Sequence, residues 1–243
     1  MEQSEARSQR SYNQYCAVAR GLDIVGERWT LLIIRDLLVG PKRYKDLQDG
    51  LPGIGTNLLA ARLRDLEQHG LVRRTVLPPP AGSTVYELTE TGQALEPTIT
   101  TLGRWGARFM GTPRDSDSYP IDAYLIAMRA SFKPEAAAGL TETYELRVGG
   151  RVFEIRIDNG QCTITQGSSR APDAVLTLDV FTLNGLLKQG WSPSEAMAEG
   201  RVKIEGDTEA LQRFVQLFTF HPHEDRRSDA RRPATGSHLT TRK

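Results

Sequence analysis

The 243-residue chain has little of the chemistry that builds metal centres or disulfide frameworks. Its two cysteines, Cys16 and Cys162, are too few to staple a fold and lie far from clustered histidines. Three of the four histidines, His221, His223 and His238, crowd near the C-terminal end. No metal and no other cofactor is expected. The chain has no Gly-x-Ser-x-Gly elbow, P-loop or dinucleotide fingerprint. Its carboxylates have no spacing that singles out an acid and a base. No enzyme is expected, and no catalytic residue is nominated. No window approaches the roughly 18 consecutive apolar residues of a membrane span. The first twelve residues are polar and lack the apolar stretch of a signal peptide. The expected address is the cytoplasm, with no membrane partner.

What is present suits an ordered globular chain. Hydrophobic residues make up 39% and charged residues 25%, which argues against global disorder. The net charge of +1 hides an uneven distribution: +2 over residues 1–112, −4 over 113–220 and +3 over 221–243. The run 111–118 is polar, carries Gly and Pro, and interrupts the apolar periodicity. A second break follows Phe220. The expected organisation is a module over 1–112, a second over 119–220, and a disordered basic tail over 221–243.

The first module reads mostly as helix. A short helix is expected over 15–24, then an apolar one offering Trp29, Leu31, Leu32, Ile33, Leu37 and Leu38 to the core. Gly40-Pro41 stops it. A short helix begins near Arg43, with Tyr44 and Leu47 inward, and a Gly/Pro-rich turn follows. The next helix, about 56–69, buries Leu59, Leu63 and Leu66 at i, i+4, i+7. Two strands, 71–77 and 84–88, flank a Pro/Gly loop, and one long helix is expected from Thr89 to about Met110. This order describes a winged helix-turn-helix, in which two helices buttress a third whose outer face enters a major groove about 12 Å wide.

Several sequence motifs sharpen this. The run Cys16-Ala-Val-Ala-Arg-Gly-Leu-Asp-Ile-Val-Gly-Glu-Arg-Trp-Thr-Leu-Leu-Ile-Ile-Arg-Asp-Leu resembles the opening of the HxlR family of bacterial regulators. So do Gly40-Pro-Lys-Arg-Tyr-Lys-Asp-Leu, Leu51-Pro-Gly-Ile, Leu63-Arg-Asp-Leu-Glu-Gln-His-Gly-Leu and Tyr86-Glu-Leu-Thr-Glu-Thr-Gly. Ala17 stands where the family often has Pro. Gly55 stands where it often has Ser, which would let the recognition-helix cap shift to Thr56.

The second module opens with a helix over 121–132. Strands follow at 142–148, 151–158, 161–166 and 174–178, with Gly149-Gly150 and Asn159-Gly160 as hairpin turns. Helices over 180–188, 193–199 and 208–217 come next, with a short strand at 203–206 between the last two. Asp173-Ala-Val-Leu-Thr-Leu-Asp-Val, Leu186-Leu, Ser192-Pro-Ser-Glu-Ala and Gly200-Arg-Val-Lys-Ile-Glu-Gly-Asp resemble sterol-carrier-protein-like domains. That resemblance implies helices packed over a sheet around an apolar tunnel. The expected fold class is therefore α+β: a winged helix-turn-helix followed by a small α+β sterol-carrier-like domain.

Candidate DNA contacts follow from position. Thr56 and Asn57 occupy the first turn of the recognition helix, and Arg62 and Arg64 lie away from its leucine face. Asn can bond adenine bidentately and Arg guanine. Lys42, Arg43 and Lys45 begin the preceding helix, where phosphate is attracted. Arg73 starts the wing, and Ser83 or Thr84 could donate to phosphate. In the second module, Leu125, Met128, Phe153, Phe181, Trp191 and Phe214 are candidates to line a ligand cavity; the competing reading is a filled core. Cys16 opens a helix, where a thiolate is favoured, so it is a candidate redox sensor beside the reading of an inert small residue. Cys162 lies in a strand pattern and reads as core. The expected function is a transcriptional repressor that binds double-stranded DNA as a homodimer and responds to a small apolar ligand. The helices at 15–24 and 90–110 are the expected dimer surface. The alternative is a carrier of hydrophobic ligands whose winged domain mediates protein interaction.

Overall fold

A computed structural model describes residues 11–78, 82–110, 114 and 117–218. The expected basic tail and the tip of the wing, residues 79–81, lie outside the described residues. The first half of the chain forms α1 (Ala17–Val25), α2 (Thr30–Leu37), α3 (Tyr44–Gly50) and α4 (Thr56–Gln68). The wing follows as β1 (Val72–Val76) and β2 (Thr84–Leu88), antiparallel from Val72 opposite Leu88 to Val76 opposite Thr84. Then come α5 (Glu90–Gln93) and α6 (Glu96–Gly106).

The apolar spacing acts as expected in the helices that matter. Ile33, Ile34 and Leu37 of α2 and Leu59, Leu63 and Leu66 of α4 are buried in one apolar core. Each such side chain, fully removed from water, contributes on the order of 1.5–3 kcal/mol. Leu32 is an exception to the expected core, because it faces outward and is 40% exposed. The long helix expected over 89–110 is two helices. Thr89 caps the first, its hydroxyl accepting from the Gly92 amide at 3.2 Å. Pro97 sits in the first turn of α6 and explains the break, since its ring has no N–H to continue the ladder and crowds the preceding turn. Gly92 is demanded by packing. A Cβ there would collide with the Leu71 carbonyl.

The second half starts with α7 (Ile121–Ser131) and builds a five-stranded sheet. Its strands are β3 (Thr141–Val148), β4 (Arg151–Asp158), β5 (Gln161–Gln166), β6 (Ala174–Leu178) and β7 (Val202–Gly206). The order across the sheet is β5-β4-β3-β6-β7, and only the β3–β6 pairing is parallel. Both expected hairpin turns have positive φ at both central residues, 57° and 74° at Gly149-Gly150 and 43° and 85° at Asn159-Gly160. That is the geometry a right-twisted two-residue hairpin needs. Helices α8 (Val180–Lys188), α9 (Pro193–Ala198) and α10 (Ala210–Phe218) complete the module. Its centre is aromatic: Phe214 meets Tyr144 edge-on at 5.4 Å and Phe218 at 5.0 Å.

The halves touch along α2 and α7. Arg129 of α7 donates to the Leu38 carbonyl at 3.1 Å on one side and to the Ile164 carbonyl at 2.5 Å on the other. Arg104 of α6 donates to the Ala130 carbonyl at 2.9 Å. No described helix is long and apolar enough to cross a membrane.

Candidate nucleic-acid interface

Helix α4 turns its leucines inward and leaves Thr56, Asn57 and Arg64 exposed. Gly55, not Thr56, takes the cap position, in extended backbone and without a side-chain cap. Thr56 is instead the first helical residue and is pinned from α3. The Tyr44 hydroxyl donates to its carbonyl at 2.6 Å, and Gln48 Nε2 donates to its Oγ1 at 3.0 Å. The Thr56 hydroxyl accepts in that contact, so its own proton remains available to a phosphate. These two bonds fix the first turn of α4 relative to α3, the relation a helix-turn-helix depends on.

The basic candidates divide. Arg43 and Lys45 are exposed at the start of α3, with Asp46 Oδ2 accepting from the Arg43 amide at 3.1 Å. Lys42 is not with them. It is buried, and its Nζ pairs with Asp122 Oδ1 of α7 at 3.0 Å, side chains 3% and 6% exposed. A lysine so placed cannot reach DNA in this fold, and Lys42 leaves the candidate set. Arg62 is also committed inward. Its guanidinium pairs with Glu27 and with Asp65, each at 2.9 Å, and joins the α1–α2 connection to α4.

On the wing, Arg73 is exposed, with Nε donating to Glu87 Oε1 at 2.8 Å. The Thr75 hydroxyl donates to the same oxygen at 2.6 Å. These bonds, Thr75 first, hold the Glu87 carboxyl below the usual carboxylate range. Thr84 is exposed and Ser83 half-buried. Cys16 is exposed just ahead of α1. Cys162 is partly buried, and burial pushes its thiol up to about 12, consistent with the core reading.

Lys42 belongs to a buried charge cluster that no sequence motif announces. Asp122 also accepts from Arg151 Nη1 at 2.9 Å. Asp36 of α2 is fully buried and paired with Arg35 at 2.7 Å, while its Oδ2 has no hydrogen-bond partner among the described residues. Burial pushes the Asp36 carboxyl up to about 6, against the pull of Arg35. Burial lowers Lys42, and Asp122 opposes that shift. Lys42 also exchanges both backbone hydrogen bonds with Tyr86 of the wing, at 2.9 and 2.7 Å. One residue thus ties α7, the entry to α3 and β2 together. Nothing local marks Lys42 apart from its basic neighbours, because its partner lies 80 positions away.

The six candidates for a ligand cavity do not come together around one. Leu125, Met128, Phe153 and Phe214 are packed in the core. Phe181 is 53% exposed, and Trp191 meets it edge-on at 5.3 Å. The Trp191 ring occupies the space a Cβ at Gly185 would need. A cleft of about 310 Å³ lies instead between the modules.

The sequence pattern of the HxlR-like helix-turn-helix family matches residues 24–114, and that of the SCP-2 sterol transfer family matches residues 125–219. The HTH-type transcriptional regulator YodB of Bacillus subtilis is 41% identical over 86 residues, 35% of this chain and 77% of that protein. The uncharacterized HTH-type transcriptional regulator sll1512 of Synechocystis is 33% identical over 95 residues, 39% of this chain and 70% of that one. The solved structure of the reduced form of YodB is 35% identical, covers 42% of this chain and all of that one, and has a TM-score of 0.36. The chain belongs to the HxlR-like helix-turn-helix family. Behind its winged helix-turn-helix it carries an SCP-2 domain.

Proposed function

We propose that the protein is a transcriptional repressor that binds operator DNA as a homodimer and takes a small-molecule signal through its second module. The observation that carries this reading is α4. Its first turn is braced by α3, its leucines face inward, and Thr56, Asn57 and Arg64 are left to solvent with Arg43, Lys45, Arg73 and Thr84 exposed on the adjoining elements. A first-turn Asn suits base edges, as does the exposed Arg64, whose Nε donates only a 3.3 Å bond to the Ala60 carbonyl of its own helix, while the remaining side chains suit phosphates.

One such helix reads only a few base pairs. Two copies placed about one helical turn apart, ~34–36 Å, read an operator. Support for pairing comes from α1, α6 and the short 3-10 turn Ala107–Phe109 that follows α6, which leave Val18, Leu22, Leu102, Trp105 and Phe109 exposed. A set of large apolar side chains at both edges of one module marks an interaction surface. That the relatives YodB and sll1512 are HTH-type transcriptional regulators agrees with this reading. Cys16, exposed ahead of α1 and therefore beside that surface, is the place where thiol modification would reach the dimer.

The test is a footprint of the full chain on its own upstream DNA, combined with sedimentation of the complex. Two copies per site and two protected patches about one turn apart support the proposal. Absence of binding, or a single copy on a single patch, contradicts it.

A further inference from the structure

We propose that Arg62 is a positioning residue for operator reading: through its ion pair with Glu27 it fixes the direction of α4, and it does not itself touch DNA. The proposal rests on the reading of α4 as the helix that contacts DNA.

Arg62 is held from two sides. Nη2 pairs with Glu27 Oε2 and Nη1 with Asp65 Oδ2, each at 2.9 Å. The side chain is only 17% exposed, and Nε is shut off from solvent with no partner among the described residues. A guanidinium answered by two carboxylates is not available to a phosphate. Asp65 belongs to α4 itself, so that pair is local. Glu27 lies 35 positions away in the connection between α1 and α2, so that pair crosses between elements.

The connection holds Glu27 in place. Trp29 takes φ 79° and ψ −22°, left-handed backbone that a bulky residue keeps only where its surroundings impose it. Its ring lies against Gly53 in the turn between α3 and α4, with Cη2 3.7 Å from where a Cβ on that glycine would stand. The Arg28 guanidinium lies over the same ring, 5.2 Å from its centroid. The Thr30 amide donates to the Glu27 carbonyl at 3.1 Å. The connection therefore meets the reading head twice, at the turn before α4 and at Arg62. It begins where α1 ends, so α4 is tied to one of the helices that carry the pairing surface.

The geometry gives the pair leverage. Leu59, Leu63 and Leu66 hold α4 on the core, but apolar contact is non-directional. Among the described residues, the side-chain hydrogen bonds that tie α4 to other elements fall at two points. Tyr44 and Gln48 hold Thr56, and Glu27 holds Arg62. At 1.5 Å of rise per residue these points are ~9 Å apart, and Arg64 is ~12 Å from the Thr56 pivot. A sideways shift of ~1 Å at Arg62 moves Arg64 by ~1.3 Å, beyond the ~0.5 Å range over which a hydrogen bond keeps its length.

The experiment is a double-mutant cycle read by DNA affinity. The full chain, Glu27→Ala, Arg62→Ala and the double variant are titrated with the upstream fragment and with an unrelated fragment of equal length, over a range of salt. Glu27 is exposed, so its variant should keep the wild-type melting temperature. Removing its negative charge lowers repulsion of phosphate, so electrostatics alone would tighten binding to both fragments. Positioning predicts the opposite for one of them. Affinity of Glu27→Ala for the upstream fragment should fall at least about five-fold, while affinity for unrelated DNA does not fall. Arg62→Ala should show the same selective loss with an unchanged salt slope, and the double variant should stay within about two-fold of the larger single loss. Glu27→Ala binding the upstream fragment as tightly as wild type overturns the proposal. So does an Arg62→Ala protein that loses affinity equally on both fragments with a salt slope smaller by about one, the mark of a phosphate contact. A wild type that does not prefer the upstream fragment removes the repressor reading and this proposal together. A wild type that prefers it, with Glu27→Ala preferring it equally, removes this proposal alone.

Discussion

Replacing Asp122 with Ala tests the link between the modules. The change strips the buried Lys42 ammonium of the carboxylate 3.0 Å away, in a place where both side chains are at most 6% exposed. Breaking a buried pair by removing one partner costs about 3–5 kcal/mol, because the survivor keeps its desolvation penalty. For a chain of this size each kcal/mol lowers the melting temperature by about 2–4 °C, so the expected drop is ~6–20 °C. Arg151, which also bonds Asp122, is 25% exposed and can turn to solvent, so Lys42 dominates the loss. The pH dependence follows from Lys42. Burial already lowers it and Asp122 opposes that, so the variant's lysine falls further below its unfolded value. A cation whose folded pKa is depressed binds fewer protons in the native state, so stability rises with pH towards the unfolded lysine value. The deficit should therefore be larger at neutral pH than near pH 10. Lys42→Met with Asp122→Leu, which removes both charges, should return to within about 1 kcal/mol of wild type. Scanning calorimetry of wild type, Asp122→Ala and the double variant is the assay. An Asp122→Ala protein within about 1 kcal/mol of wild type, or a double variant as unstable as the single, would refute the reasoning. A fragment ending at residue 112 loses the same partner and should be less stable than its own Lys42→Met version.

Asp36→Asn should help at high pH and not at low pH. The Asp36 carboxyl is raised from 3.8 to about 6, so its contribution is fully present below pH 3.8 and is lost as pH rises through about 6. The benefit of the amide at pH 8 relative to pH 4, read from chemical denaturation, should approach about 3 kcal/mol, at ~1.36 kcal/mol per unit; no difference between the two pH values would rule out a buried, reluctant carboxylate. Gly92→Ala should cost about 1–3 kcal/mol, because the new methyl meets a backbone carbonyl that cannot rotate away; an unchanged melting temperature would show that the contact relaxes freely. Deleting residues 221–243 should leave the melting temperature unchanged. It should weaken DNA binding modestly at low salt and less at high salt, since the segment holds six Lys/Arg.

The elements legible in the sequence were those carried by local patterns. Leucines at 59, 63 and 66 announce α4, the Gly149-Gly150 and Asn159-Gly160 pairs announce two hairpins, and Gly40-Pro41 ends α2. The break between α5 and α6 was also local, since Pro97 stands in plain view, but the strong Thr89 cap drew the helix straight through it. The site was legible only in part. Thr56, Asn57 and Arg64 lie on the exposed side of α4 as their spacing requires. Lys42 and Arg62 have the same sequence character as their neighbours, yet long-range partners draw both inward. A ligand cavity in the second module was inferred from a surplus of apolar side chains, and packing used most of that surplus up. The cleft between modules depends on how two halves dock, which no periodicity encodes.

Whether α4 reads DNA is tested most directly by one equilibrium measurement. Fluorescence anisotropy with the upstream fragment, at a single salt concentration, compares wild type with Asn57→Ala/Arg64→Ala. Both residues are exposed, and neither touches the core or the Lys42 cluster, so the variant should keep its melting temperature. If each contributes a base contact worth about 1–3 kcal/mol, specific affinity should fall by at least about thirty-fold, while the weak binding to unrelated DNA changes far less. A folded variant that binds the upstream fragment as tightly as wild type would contradict the account.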